Sequence, residues 1–143
     1  MNWCESISRA IEYIENNLTN DITVEDIANH LYMSSFYFQK GFSIVCGYGV
    51  SEYIRNRKLS LAGYEILHTN NKIIDIALKY GYDSPDSFTK AFTRFHGSTP
   101  TEVRRGGKVR EFAPLKINLI VKGGYTMEYK IEERERFKVI GLK

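Results

Sequence analysis

Residues 73–105 read IIDIALKYGYDSPDSFTKAFTRFHGSTPTEVRR, and this stretch decides the fold. It contains the clearest helix start in the chain, because Ser84 can cap a helix, Pro85 suits its first position and Asp86 adds an acid to its first turn. Three phenylalanines then recur on one helical face: Phe88, Phe92 and Phe95. A shorter helix comes before this one and ends at Gly81, and the helix that begins at Pro85 ends at Gly97. The stretch therefore predicts a short helix, a tight turn and a capped second helix.

The same pattern occurs 50 residues earlier in the chain. Four residues recur in register, with Ser34, Phe38, Phe42 and Gly47 corresponding to Ser84, Phe88, Phe92 and Gly97. The pair Ile27-Ala28 recurs as Ile76-Ala77 at a separation of 49, so the second turn is one residue longer. The repeat predicts two helix-turn-helix motifs in tandem. The alternative is a generic bundle of six or seven helices with an accidental period.

Apolar spacing predicts the remaining helices. A first helix carries one apolar stripe, and a second begins at Thr23 with Asp26 as part of a capping box. A long helix from about Val50 to Leu67 joins the two motifs, and a short helix from Pro100 follows the second. We therefore expect a mainly α fold, a seven-helix tandem helix-turn-helix domain over residues 1–106, with a short C-terminal β tail over residues 107–143.

The second motif resembles the signature of the AraC/XylS transcription regulators. The residues that carry the resemblance are Ile73-Ile74-Asp75-Ile76-Ala77, Tyr80-Gly81-Tyr82-Asp83-Ser84, Ser87-Phe88, Ala91-Phe92, Phe95, Gly97-Ser98-Thr99-Pro100 and Arg104. The match extends across residues 5–105 and implies sequence-specific binding to double-stranded DNA. Two positions depart from the pattern: Val103 stands where the family often has Tyr, and Gly41 lies inside the first recognition helix. Glycine there costs about 1 kcal/mol relative to alanine, so we expect a less rigid helix.

The second helix of such a motif lies in the major groove with its N-terminal residues at the base edges. The resemblance therefore implies that the outer helix faces contact bases through Ser35, Phe36, Gln39 and Lys40 in the first motif and Pro85, Asp86, Thr89 and Lys90 in the second. The expected phosphate contacts are Arg55, Arg57, Lys72, Arg94 and Arg105. Gln suits adenine, Lys suits guanine, and a phenyl ring suits a thymine methyl. The alternatives are that Phe36 belongs to the core and that Lys40 and Lys90 bind only phosphate.

Pro85 has no donor, and Asp86 repels phosphate unless it accepts from a cytosine amine. The helix after Ser84 is therefore expected to be the poorer reader of bases and to contribute phosphate contacts and shape discrimination more than direct readout.

The tail after Gly106-Gly107 has a different pattern. Residues 115–121 and 127–131 alternate apolar and polar residues as strands do, and residues 137–141 suggest a third strand. The tail resembles the opening of a GyrI-like effector-binding domain over about 28 residues, whereas a complete domain needs on the order of 150. We expect a truncated sensor domain that ends in a hairpin or dangling strands. It should be mobile, or ordered only by packing on the helices or on another molecule, and DNA binding should survive its removal. The alternative is a self-contained basic tail.

Composition narrows the function classes. The chain is 43% hydrophobic and 26% charged, as in globular proteins, and has no apolar run near the ~18 residues that span a bilayer. Cys4 and Cys46 fit no metal or redox spacing, which favours reduced thiols in a cytosolic protein. Nine of the 20 Lys and Arg residues lie beyond Arg105, but only five of the 17 Asp and Glu residues do, so the tail is basic.

We expect no enzyme activity, since no catalytic motif is recognisable, and neither a cofactor nor a metal. The expected partner is double-stranded DNA, with RNA polymerase as a second candidate and a small-molecule effector only in a full-length regulator. The alternative function is a small-molecule-sensing module whose ligand domain is truncated.

Overall fold

The computed structural model describes the backbone of residues 2–122 and 126–132 and the side chains of residues 2–117. The helices and strands of this part are α1 (Trp3–Glu15), α2 (Val24–His30), α3 (Ser35–Cys46), α4 (Val50–His68), α5 (Ile73–Lys79), α6 (Pro85–His96), α7 (Pro100–Arg104), β1 (Lys116–Lys122) and β2 (Thr126–Glu132). The mainly helical, seven-helix fold expected from the sequence is confirmed. The third strand expected near residues 137–141 lies outside the described residues.

The helix boundaries follow from local chemistry. The Thr23 hydroxyl oxygen accepts a hydrogen bond from the Asp26 backbone N–H, and the Thr23 backbone N–H donates to the Asp26 carboxylate, so the expected capping box is present. Ser34 and Ser84 cap α3 and α6 in the same way, each accepting from the backbone three residues on. Both helices end at a glycine in the left-handed conformation, Gly47 and Gly97.

Each motif is a helix pair packed on α4. The α2–α3 pair and the α5–α6 pair bury matching aromatic faces, and α4 contacts α3, α5, α6 and α7. The largest fully buried side chains in the described part include Phe38, Phe42, Tyr53, Phe88 and Phe92. One core therefore links both motifs through α4, and it positions the outer faces of α3 and α6.

Gly41 has a packing role in α3. A Cβ built on Gly41 would overlap the indole carbons of Trp3, far inside van der Waals contact. The Trp3 ring also packs on Tyr37, with 5.1 Å between ring centroids. The packing of the Trp3 ring on α3 therefore explains the glycine, for which the sequence alone indicates only a less rigid helix.

Residues 107–115, here called the strap, form neither helix nor strand and pack on the helices. Phe112 and Leu115 are each 3% exposed and belong to the same core as the helices. The Phe112 backbone N–H donates to Ser60 Oγ at 2.9 Å, and the Leu115 N–H donates to the Tyr53 hydroxyl at 3.3 Å. The first part of the expected tail is thus ordered by packing on the helical domain.

The strap leads into an antiparallel hairpin. Strands β1 and β2 pair in a register that runs from Lys116↔Glu132 to Lys122↔Thr126, and β1 lies against α1. The two strands lie where the sequence alternates, and their pairing decides between the hairpin and the dangling strands that the sequence left open.

His96 joins the strap to α4 and α6. Its Nδ1 accepts from the Arg110 backbone N–H at 2.9 Å, so its Nε2 carries the proton and donates to the Leu59 carbonyl at 2.7 Å. Burial, and then the positive charge of Arg110, lower the pKa of His96 below 6.5. The neutral ring is therefore the form that holds the strap.

Because the folded state depresses this pKa, the unfolded chain binds more protons just below pH 6.5. The contribution of His96 to stability is complete above that pH and is lost as the pH falls through the folded-state pKa. We expect the free energy of unfolding, measured in urea from pH 7.5 to 4.5, to fall less steeply in His96→Gln than in the wild type. Equal slopes in the two proteins would show that His96 is not the titrating group.

Candidate nucleic-acid interface

The outer face of α3 carries four of the expected base-contacting residues. Phe36 is 74% exposed, which excludes the alternative that it belongs to the core. Gln39 and Lys40 are exposed, and Ser35 is half-buried. Gln39 Nε2 donates to Ser35 Oγ at 3.2 Å, while the Lys40 ammonium lies 5.9 Å from the Phe36 ring centroid. This face presents an amide, a cation and an aromatic ring without using any of them in the core.

The outer face of α6 carries an acid as well as a cation. Pro85, Asp86 and Lys90 are exposed, whereas Thr89 is half-buried. Lys90 Nζ lies 3.3 Å from Asp86 Oδ2, an exposed pair at helical spacing. Such a pair adds little stability, yet it places an acid beside the cation that would meet DNA. The charge of Lys90 is therefore partly neutralised by its own helix.

Four of the five expected phosphate-contacting residues are exposed: Arg55, Lys72, Arg94 and Arg105. Arg57 is the exception and corrects the expectation from sequence, because it is only 7% exposed. Its Nε and Nη2 donate to both carboxylate oxygens of Glu15 at 2.8 and 2.7 Å, and its Nη1 donates to the Phe112 carbonyl. This guanidinium ties α1, α4 and the strap together and has no free face for a phosphate.

Sequence reasoning gave Arg104 no role beyond its place in the signature. The structure shows that its Nε donates to the Ile66 carbonyl and its Nη2 to the Thr69 carbonyl, each at 3.1 Å. A cation at these carbonyls satisfies the C-terminal end of α4. Arg104 therefore fixes α7 on α4.

Tyr32, in the turn between α2 and α3, is a surface residue that sequence reasoning missed. Its backbone has a φ of +57°, and its side chain is 88% exposed. The repeat contained the signal, because at the separation of 49 that relates the Ile-Ala pairs Tyr32 corresponds to Gly81. The two motifs thus differ in the turn that precedes the recognition helix.

Two open clefts can be identified among the described residues. One, of about 300 Å³, lies between the α1–α2 loop and the turn of the second motif, and includes Asp21, Lys58 and Gly81. The other, of about 270 Å³, lies between α4 and the strap and includes Tyr64 and Pro114. In this part of the chain, no group of three His, Cys, Asp or Glu side chains could hold a metal ion. None of its helices is both long and apolar enough to cross a membrane.

Two capped second helices with exposed polar and basic faces, joined by one long helix, define a tandem helix-turn-helix DNA-binding domain. The family described as "Helix-turn-helix domain" matches residues 27–106. The HTH-type transcriptional activator AarP of Providencia stuartii is 41% identical over 98 residues, which are 68% of this chain and 73% of that protein. This chain therefore belongs to the AraC family of helix-turn-helix transcription regulators.

Two further comparisons agree with this assignment. The right origin-binding protein of Escherichia coli K12 is 31% identical over 134 residues, covering 91% of this chain and 45% of that protein. The C-terminal domain of AraT, a response regulator from Geobacillus stearothermophilus, matches with a TM-score of 0.69 and 25% identity, over 76% of this chain and 91% of that chain. The alignment with the right origin-binding protein includes most of the tail as well as the helical domain.

Proposed function

We propose that α3 and α6 enter successive major-groove segments on one face of a DNA duplex and that α3 supplies most of the base readout. The carrying observation is the exposed face of Phe36, Gln39 and Lys40, which the core does not use. Helix α4 has 19 residues and is therefore about 28 Å long, close to the ~34 Å between groove segments. One protein molecule can then read two segments without a palindromic site.

The two helices have different roles in this proposal. Gln39 bonds bidentately to adenine, Lys40 reaches guanine acceptors and Phe36 contacts a thymine methyl. On α6, Asp86 either accepts from a cytosine amine or stays paired with Lys90. The outer face of α6, with Pro85, Asp86, Thr89 and Lys90, therefore contributes more to the fit of the protein on the DNA backbone than to the reading of bases. Four exposed residues contact phosphates: Arg55, Lys72, Arg94 and Arg105. Arg57 does not, because its guanidinium is buried against Glu15 and Phe112.

Binding-site selection from random duplexes tests the readout. Gln39→Ala is expected to relax the preference at one base pair, with a loss of ~1–3 kcal/mol on the selected duplex and little change on unrelated DNA. Arg55→Ala is the matched control, since removal of a charged phosphate contact weakens all sequences alike and lowers the salt slope by about one. An unchanged selected motif for Gln39→Ala would refute the assignment of the α3 face.

We further propose that the tail begins a second domain that binds a small-molecule effector in a longer regulator, in line with its resemblance to GyrI-like domains. The β1–β2 hairpin supports this, as does the alignment through the tail with the right origin-binding protein. The packing of Phe112 and Leu115 favours a domain boundary after Leu115, in place of the boundary after residue 106 expected from the sequence. RNA polymerase is the second partner that we propose for the regulator.

A further inference from the structure

The turns of the two motifs share the same backbone hydrogen bonds. In both, the turn residue and its successor donate to the end of the preceding helix. These bonds are Tyr32 N–H to the Asn29 carbonyl (3.1 Å) and Met33 N–H to the Ala28 carbonyl (3.0 Å), matched by Gly81 N–H to the Leu78 carbonyl (3.0 Å) and Tyr82 N–H to the Ala77 carbonyl (2.9 Å). Tyr32 and Gly81 therefore occupy one structural position.

This position requires a left-handed backbone. Gly81 adopts it with a φ of +92°, and Tyr32 is the one residue other than glycine in the described part of the chain with a positive φ. The conformation is unfavourable for a residue with a Cβ and free of that cost for glycine. The first motif thus keeps a tyrosine where the same turn, 49 residues later, has the residue that the backbone prefers.

Packing within the protein does not account for the tyrosine. The Tyr32 side chain is 88% exposed, more than Phe36 at 74%. It forms no hydrogen bond or ring contact with the described residues. A large aromatic residue in a strained backbone with no internal partner points to a contact outside the chain.

We propose that Tyr32 is a DNA-backbone contact of the first motif: its hydroxyl donates to a phosphate beside the groove segment read by α3, and its ring packs on the adjoining sugar. Continuity with the α3 face identifies the partner, because Tyr32 lies two residues before the Ser34 cap and four before Phe36. Tyrosine hydroxyls commonly donate to phosphate. The inference rests on the proposed function of α3 and adds a contact that the second motif, with Gly81, lacks.

The test compares DNA affinity with stability in the full chain. The probes are the duplex selected by the wild type and an unrelated duplex of equal length. Tyr32→Asn removes the ring and keeps a residue that tolerates the left-handed backbone. We expect it to weaken binding to both duplexes by about tenfold, with no fall in melting temperature. The salt slope should stay unchanged because the tyrosine is neutral and releases no counterion.

Two further variants separate the parts of the contact. Tyr32→Phe, which lacks only the hydroxyl, is expected to lose roughly threefold to fivefold on both duplexes, as for one neutral hydrogen bond. Tyr64→Asn is the matched control, since Tyr64 is an exposed tyrosine (63%) on α4 with no proposed role in DNA binding. It should leave both affinities unchanged.

Wild-type affinity in Tyr32→Asn would overturn the inference while leaving the proposed function intact. A loss confined to the selected duplex would also overturn it, since the ring would then read a base. A fall in melting temperature with wild-type affinity in Tyr32→Phe would assign Tyr32 to the fold. If the wild type itself prefers no duplex over any other, the proposed function fails and the inference fails with it.

Discussion

Phe112→Ala is expected to lower the free energy of unfolding by about 3–5 kcal/mol, the usual cost of deleting a buried phenyl ring. Phe112 is 3% exposed, and its ring centroid lies 6.0 Å from that of Tyr53 and 6.3 Å from that of Tyr48. The Phe112 backbone N–H donates to Ser60 and its carbonyl accepts from Arg57. These bonds hold the strap in place, so it cannot easily move to fill the cavity that loss of the ring would leave. Urea unfolding followed by circular dichroism measures the loss.

Truncations test the same point without a point mutation. A chain that ends at Lys116 keeps the strap and is expected to unfold near the wild-type urea midpoint. A chain that ends at residue 106 loses both Phe112 and Leu115, and should be destabilised at least as much as Phe112→Ala. Lys108→Ala, at an exposed strap position, serves as the control for substitution in this segment. A chain of residues 1–106 as stable as the wild type would restore the domain boundary first expected from the sequence.

DNA affinity adds a second reading of these truncations. The sequence predicts that DNA binding survives removal of residues 107–143, and the packing of Phe112 and Leu115 makes this depend on whether the helical core stays folded without the strap. At 10 °C without urea, any truncated chain that remains folded should bind the selected duplex as the wild type does. A tenfold loss in a folded chain would place part of the tail in the DNA interface.

The sequence predicted what local chemistry determines. Capping residues such as Thr23, Ser34 and Ser84 act within three residues of themselves, so the pattern alone locates the helix starts. The 50-residue repeat then identified α3 and α6 as the second helices of two motifs. Both the fold and the exposed α3 face follow from these short-range signals.

The strap could not be predicted in the same way. Residues 107–115 read GKVREFAPL, with no helical or strand period and a proline near the end. Their order comes from partners far away in the chain, with Phe112 bonding to Ser60 across 52 residues and Leu115 to Tyr53 across 62. Periodicity reports which face of a regular element is buried and carries no information on an irregular segment.

The burial of Arg57 could have been predicted in part. Its helical phase indicated a buried position, but the neighbouring positive charges favoured an exposed one. Arg55, Arg57 and Lys58 lie within four residues, which is typical of a solvated face. The helical period places Arg57 on a different face from Arg55. Arg57 follows Tyr53 by four residues and precedes Ser60 by three, and these three residues are buried. Its partner Glu15 is 42 residues distant, so the sequence did not show what would neutralise the charge.

Arg57→Met is therefore expected to destabilise the protein by about 3–5 kcal/mol, because it leaves the Glu15 carboxylate without its partner in a site that is largely shielded from water. The side chain of Glu15 is 22% exposed, so the lower end of that range is the better expectation. Glu15 also accepts from the Tyr53 hydroxyl at 3.1 Å, and burial followed by the Glu15 charge raises the pKa of Tyr53. Loss of the guanidinium leaves this carboxylate with one neutral donor in place of a bidentate cation.

A double-mutant cycle separates the buried charge from lost packing. Glu15→Leu combined with Arg57→Met removes both charges, and the pair should be less destabilised than the sum of the two single variants. Recovery should be partial, since the Phe112 carbonyl still loses its donor. Salt dependence of DNA binding then decides between the two roles considered for Arg57: the slope should match the wild type in Arg57→Met and fall by about one in Arg55→Ala. An additive cycle together with a lowered slope in Arg57→Met would return Arg57 to the DNA surface, where the charge pattern alone had placed it.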